Sequence, residues 1–287
     1  MLHATEGLRL ATACRNVLVP LDGSREAEAA LGIGEWLARW FGAELHLVTA
    51  DVRALERYWY EPYLKTVTGE ALPAVPHCTD DRDVVAAIKA VARRLEPCLV
   101  CMATHGRSRS AAVLGSTFAH LAVAGGDPLV AIGPRPSLPA GPDPRRTVVC
   151  LDPGPRSELT ERLVDRAAMW ARALDHRLTL VTVAADGDRV AAEDHVQRLA
   201  ADPGIDDLDV DGLVLDGPGG PHALLAHNLA ERPATFLATA THGRMGAARA
   251  LLGSETSRII RHSPIPVLVV PPPPTHHWTT GPQVERS

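Results

Sequence analysis

The chain writes one late signature twice, and this duplication limits its possible folds more than any other feature. The first copy reads ATHGRSRSAAVLGS from Ala103 to Ser116, and the second reads ATHGRMGAARALLGS from Ala240 to Ser254. Each copy lies between a strand-like apolar run and a helix-like one. Self-similarity at so long a period indicates duplicated domains rather than a solenoid, whose repeats run about 20 to 50 residues.

The repeat extends well beyond these loops. Val17-Leu18-Val19-Pro20-Leu21-Asp22 is echoed by Val148-Val149-Cys150-Leu151-Asp152, an apolar strand closing on an aspartate. After each aspartate comes an amphipathic segment, residues 26–41 and 158–174, with Trp36 and Trp170 at similar places on its apolar face. Further strand-like runs follow at 44–50 and 177–183, and both halves close on another, Leu129 to Ile132 and Val267 to Val270. In the second half, strands are expected near Val148, Leu180, Leu213 and Leu237, and helices near Ala168, Gln197, Leu225 and Ile259. Such alternation, with short all-apolar strands, implies a parallel sheet covered on both faces and right-handed crossovers. Ligands of such sheets sit beyond the carboxyl ends of the strands, where strand order reverses. Both aspartates and both Thr-His-Gly turns fall at carboxyl ends.

Between the halves, Gly133 to Pro144 holds five prolines and so lacks five amide donors, which suits a linker and not an element interior. The expected organisation is a first domain at 1–133, a linker at 134–145, a second domain at 146–271 and an extended, flexible tail at 272–287. The first half is less regular. Tyr58, Trp59, Tyr60 and Tyr63 cluster in an insertion that reads either as a lid or partner surface or as a local hydrophobic cap.

Composition narrows the function classes. At 46% hydrophobic and 22% charged residues, the chain is of ordinary globular type, and 287 residues suit two domains. No apolar stretch approaches the roughly 18 residues of a membrane span, and Met1 to Arg15 lacks a secretory pattern, so cytoplasmic residence is the default expectation. A net charge of −5 without a basic cluster argues against a nucleic-acid partner. Five cysteines, an odd number, do not suggest a disulfide framework. Cys98-Leu99-Val100-Cys101 matches a CxxC spacing, but inside a strand positions i and i+3 point to opposite faces and cannot share a metal or a disulfide. No metal site is expected, and His276-His277 reads as surface decoration.

The duplicated loop has the chemistry of an anion site. Gly106 and Gly243 lack side chains, so a phosphate can approach their backbone, or they simply make tight turns. Gly115-Ser116 and Gly253-Ser254 open helices whose free amides and partial positive charge suit an anion, with each serine able to cap or to bond an oxygen. Asp22 and Asp152 can accept hydrogen bonds from a ribose. Arg107 and Arg244 offer forked donors for phosphate, or serve as solvated loop residues. His105 and His242 read as loop-ordering groups or as proton carriers.

An apolar strand ending in Asp, then a late Thr-His-Gly, a spacer, Gly-Ser and a final Pro-Val-Leu-Val-Val strand resembles the universal stress protein family in its tandem two-domain form. The resemblance covers nearly all of the chain outside the linker and tail. It implies an α/β, Rossmann-like fold of the adenine nucleotide alpha hydrolase type: two similar domains, each a five-stranded parallel sheet with helices on both faces. In one branch it implies ATP, with or without Mg²⁺, held through the pattern Gly-x2-Gly-x9-Gly-Ser/Thr. Carried over, Asp22 and Asp152 would hold the ribose, and backbone at Ala50 and Val183 would meet adenine. Gly106, Gly115, Ser116 and Thr117, with Gly243, Gly253, Ser254 and Glu255, would surround the phosphates. The chain departs from the pattern at its first glycine, which is Ala103 or Ala240. The first loop is one residue short, and Glu255 brings a charge that favours its helix but opposes a phosphate. The second loop keeps the pattern's length better.

Three function classes follow: a nucleotide-binding regulatory switch in stress adaptation with little or no turnover, a weak ATPase or adenylyl transferase, and a scaffold acting through protein partners. The sequence has no GxxxxGK[ST] loop and no obvious carboxylate pair for Mg²⁺, so efficient hydrolysis lacks its usual parts. The regulatory switch is the leading expectation. The closing strands are apolar edges that proteins usually cover, so the halves are expected to pair through them as an intrachain pseudo-dimer. A further homodimer is compatible with the resemblance.

Overall fold

The computed structural model describes residues 14–52, 54–68, 73–105, 114–123, 129–134, 144–152, 157–184, 188–241, 244–246, 249–251 and 253–272. In the first half the order is β1 (Asn16–Pro20), α1 (Arg25–Glu28), α2 (Leu31–Phe41), β2 (Glu44–Thr49), α3 (Ala54–Thr66), β3 (Ala74–Cys78), α4 (Val84–Arg94), β4 (Cys98–Ala103), α5 (Ser116–Val123) and β5 (Leu129–Ile132). The second half continues with β6 (Arg146–Cys150), α6 (Glu158–Leu174), β7 (Arg177–Val183), α7 (Arg189–Ala200), β8 (Val210–Leu215), α8 (Pro221–Glu231), β9 (Phe236–Ala240), β10 (Arg244–Gly246), β11 (Arg249–Leu251), α9 (Ser254–His262) and β12 (Val267–Val270).

Ten strands form one sheet in the order β3-β2-β1-β4-β5-β12-β9-β6-β7-β8. The five strands of each half run parallel to one another, as the short apolar runs predict. The halves meet in one antiparallel pair, with Val267 opposite Ala131, Leu268 opposite Val130 and Val269 opposite Leu129. The chain winds outward from β1 through β2 to β3 and then returns to the other side of β1 with β4. Strand order therefore reverses between β1 and β4, and again between β6 and β9, which fixes two crevices at the carboxyl ends.

Alternation along each strand feeds two faces. Val17 and Val19 join a core under α2 and α6 that runs through both halves, whereas Leu18 packs with Ile88 on the opposite face. The long helix α6 starts at Ser157, whose hydroxyl accepts from the Thr160 amide at 3.2 Å, with Glu158 and Glu161 in its first turn. Its buried Leu163, Val164, Ala167, Ala168, Ala171 and Leu174 follow the helical period. The matching segment of the first half, expected as one helix over 26–41, is broken. The Ala29 and Ala30 amides bond three residues back, to Glu26 and Ala27, and this tighter turn separates α1 from α2. Gly34 then lets α2 lie directly on β1, for a Cβ there would sit 2.6 Å from Val19 Cγ2.

The aromatic insertion of the first half is helix α3. Leu64 is fully buried, the Tyr63 hydroxyl donates to Glu28 Oε1 at 2.7 Å, and Trp59 stays 73% exposed. Part of the insertion thus caps the core while Trp59 does not. At the seam, the two tryptophans at similar helix positions converge on one side chain. Trp36 and Trp170 lie 5.8 and 5.7 Å from the Phe236 ring, and Phe41 packs edge-on against Trp170. No described helix is long and apolar enough to cross a membrane.

Candidate functional site

The first crevice is built by the ends of three strands and the starts of two helices. The Leu21 amide bonds the Val48 carbonyl at 2.8 Å, which carries β1 one residue further and sets Asp22 at the rim. Asp22 Oδ1 then accepts from the Ser24 amide at 3.0 Å and the Ser24 hydroxyl at 2.5 Å, a local turn that fixes the carboxylate before α1. Val48 and Ala50 come from the end of β2, Val84 and Ile88 from the start of α4, and Met102 to His105 from the end of β4. Together with Gly115 to Phe118 they enclose a cavity of about 240 Å³. Its lining combines apolar side chains with a few polar groups, Asp22, Thr104, His105, Ser116 and Thr117, the usual composition of a small-molecule site.

Backbone bonds tie together the residues that flank the spacer. The Thr104 amide bonds Ile132 at 2.9 Å, and its carbonyl accepts from the Gly115 amide at 2.8 Å. A Cβ on Gly115 would press on that carbonyl at 3.3 Å. His105 is buried, with Nδ1 at 2.8 Å from the Thr104 hydroxyl, so its ring orders the turn whatever else it does. It also lines a second cavity of about 230 Å³ together with Arg25, Glu26, Ala29, Ile132, Gly133 and Pro134. Of the residues singled out in the first half, Asp22, Ala50, Gly115, Ser116 and Thr117 are thus brought together around one cavity. Gly106 and Arg107 lie outside the described residues.

The second crevice repeats the frame. The Leu151 amide bonds Val181 at 2.7 Å as Leu21 bonds Val48, and the Thr241 amide bonds Val270 at 3.0 Å as Thr104 bonds Ile132. Asp152 follows β6, Val183 ends β7, and Gly253 caps α9 ahead of Ser254 and Glu255. The Cys150 thiol is pushed up to about 12 by burial and then by the negative charges of Asp152 and Glu255. The spacer, expected as an open loop, holds a small hairpin: Arg244 pairs with Leu251 and Gly246 with Arg249. Gly243 lies outside the described residues. The Thr241 hydroxyl turns away from its own crevice and donates to the Ala122 carbonyl of the first half at 3.1 Å.

Val84, Ile88, Met102 and Phe118 escaped the sequence reading, since nothing but their helix-start and strand-end positions marks them among many apolar residues. His222 escaped it too. Its signal was its place one residue inside the start of a helix that follows a strand. Cys101 is fully buried in the larger core, and Cys98 packs on the opposite face with Leu95 and Val100, as the strand period requires. Among the described residues no group of three or more His, Cys, Asp or Glu is arranged to hold a metal ion.

Residues 144–271 match the model of the Universal stress protein family. This half is similar in sequence to universal stress proteins. The match begins just before β6 and ends just after β12, so it takes in the whole second crevice. In three dimensions the likeness spans both halves. The chain superimposes on a universal stress protein from Archaeoglobus fulgidus DSM 4304 with a TM-score of 0.62 at 18% identity, covering 90% of this chain and 98% of that one. A protein of unknown function from Pseudomonas aeruginosa PAO1 gives 0.64 at 16% identity, covering 92% and 95%. The cytoplasmic domain of a prokaryotic cation chloride cotransporter gives 0.50 at 13% identity, covering 89% and 95%. At such identities the likeness shows the fold, and a fold shared by a stress protein and a transporter domain does not assign a ligand. No curated protein matches the chain in sequence.

Proposed function

We propose that this chain is a tandem universal stress protein that binds ATP and works as a regulatory switch in stress adaptation, with little or no hydrolysis. The observation that carries the reading is the cavity between β1 and β4, where residues chosen from sequence as ribose, base and phosphate contacts line one space. Its volume of about 240 Å³ lies below the roughly 300 Å³ at which ligand sites usually begin, too small for a whole nucleoside triphosphate. It suits the nucleoside end of the ligand. Adenine lies against Val48, Val84, Ile88 and Met102 beside the Ala50 backbone, and the ribose hydroxyls donate to Asp22. The phosphates then extend toward the Gly115-Ser116 start of α5, where free amides and the helix dipole favour negative charge. Ser116 and Thr117 add hydroxyl donors there.

The crevice supplies little beyond binding. Asp22 is the one carboxylate among the cavity's lining residues, and Mg²⁺-dependent phosphoryl transfer ordinarily uses more than one group to hold the metal and direct water. A bound nucleotide would instead bias contacts across the β5–β12 seam, with the two halves acting as an intrachain pseudo-dimer. The test is to denature the purified protein, identify released nucleotide by mass spectrometry, and titrate the emptied chain with ATP by calorimetry. Saturable ATP binding without ADP production in Mg²⁺ is the expected result. Absence of binding at millimolar ATP would reject the reading in favour of a scaffold.

A further inference from the structure

The two crevices share a frame but differ at their mouths. In the first half, the opening turns of α4 and α5 present Val84, Ile88, Thr117 and Phe118 to the cavity. Aligned by their caps, α8 and α9 are the corresponding helices: α8 starts after Gly220 as α4 starts after Asp83, and α9 starts after Gly253 as α5 starts after Gly115. Thr117 then corresponds to Glu255, and Val85 to His222.

These two replacements meet between the starts of α8 and α9. Glu255 Oε2 and His222 Nδ1 lie 3.5 Å apart, and both atoms are shielded from water without a formed hydrogen bond. The other carboxylate oxygen accepts from Arg258 at 2.7 Å, and the His222 ring packs against His262 with centroids 5.3 Å apart. Gly220 is pressed close beneath, for a Cβ on it would sit 3.1 Å from His222 Cε1 and 4.0 Å from Glu255 Oε2. The protein's own carboxylate thus occupies the start of α9, where the first half offers Thr117 and free amides. An incoming polyphosphate would meet a carboxylate at the helix start where the first half has a hydroxyl.

We infer that the chain takes one nucleoside triphosphate, in the first half, and that the Glu255–His222 bridge closes the second crevice to anions. The inference rests on the nucleotide reading above and reverses the preference that loop length alone gives. Duplication then yields one binding unit and one permanently filled partner, whose α9 keeps the charge stabilisation that a ligand would supply elsewhere.

Calorimetry with ATP on the intact, nucleotide-free chain tests this directly. One site per chain is expected, weakened at least 10-fold by Asp22→Ala and unchanged by Asp152→Ala. Two reciprocal swaps guard against an effect on folding. Thr117→Glu should abolish binding in a chain whose circular dichroism melt is unaltered, and the double variant Glu255→Thr, His222→Ala should bind a second equivalent. Two sites in the unmodified chain, a single site sensitive to Asp152→Ala rather than Asp22→Ala, or a double variant that still binds one equivalent would each overturn the inference. No binding at all would instead reject the nucleotide reading and this inference with it.

Discussion

Asp22 shows how one side chain can be committed to structure and still be available to a ligand. Oδ1 is used by Ser24, which holds the carboxylate in one rotamer at the cavity rim. A ribose would meet an acceptor already in place, so Asp22→Asn, which keeps the shape but loses the charge, should weaken ATP less than Asp22→Ala. A titration series on the two variants checks the order. A second residue-scale prediction concerns the amino-terminal ends of the same strands. Asn16 donates to the Leu95 carbonyl at 2.6 Å, so its oxygen is left to accept from His46 Nε2 at 2.9 Å. With His46 neutral, as burial favours, its Nδ1 accepts from His77 Nε2, 3.0 Å away. Burial holds both histidines below their ordinary value, with Glu44 partly countering it at His46 and the neighbouring His46 adding to it at His77. The unfolded chain therefore takes up protons first. The stability from this pair is fully present above the unfolded histidine value of about 6.5 and is lost as pH falls below it. Urea midpoints between pH 8 and pH 5.5 should decline on the acid side in the unmodified chain, and decline less in His77→Ala.

At the scale of elements, the seam between α2 and α6 is the most consequential contact. Trp36 and Trp170 each pack on Phe236, and the Trp40 indole donates to the Ala173 carbonyl at 3.1 Å across the halves. Removing Trp170 should cost about 3 kcal/mol, the low end for a large aromatic in a core because the ring is only partly buried. Because both tryptophans share Phe236, the Trp36→Ala and Trp170→Ala losses should fail to add by more than about 0.5 kcal/mol, as read by chemical denaturation of the double variant. The broken helix after β1 belongs to this scale as well. Ala30 is fully buried and its carbonyl receives the Cys101 thiol at 3.8 Å, so the turn between α1 and α2 fits the chain to the end of β4 beside the cavity. Periodicity alone runs straight through that turn, since alanines suit a helix interior and give no signal of a break.

For the whole molecule, one sheet passes through both halves, and its middle is the antiparallel β5–β12 pair. All eight residues of these two strands are buried, and the larger core draws residues from each half. The chain should consequently unfold in one transition. A specific protease site placed in the proline-rich stretch between Gly133 and Pro144 should, after cleavage, leave two fragments that elute together in gel filtration. Separate elution would mean that the strand pair and the aromatic seam are too weak to hold the halves without the covalent link.

The repeated signature, the alternation of strand and helix runs and the aspartates at strand ends were legible in the linear chain, because hydrophobic period and turn chemistry act over a few residues. They suffice for two similar parallel α/β halves and for Asp22, Gly115 and Ser116 as candidate contacts, whereas Ala50 and Thr117 entered only through the family resemblance. The cavity's apolar walls were not legible, because Val84, Ile88, Met102 and Phe118 look like any other core residues until the strand order brings α4 beside α5. The helix break at Ala29 and Ala30 and the hairpin at Arg244 and Leu251 were hidden for the same reason, as each answers to contacts formed elsewhere. The clearest division lies at Glu255. The sequence by itself determined that this acid stands where the first half has a threonine. Only the tertiary structure decided that His222, 33 positions earlier by residue number, lies against it, because that distance is set by how two helices pack on one sheet and by no local rule of the chain.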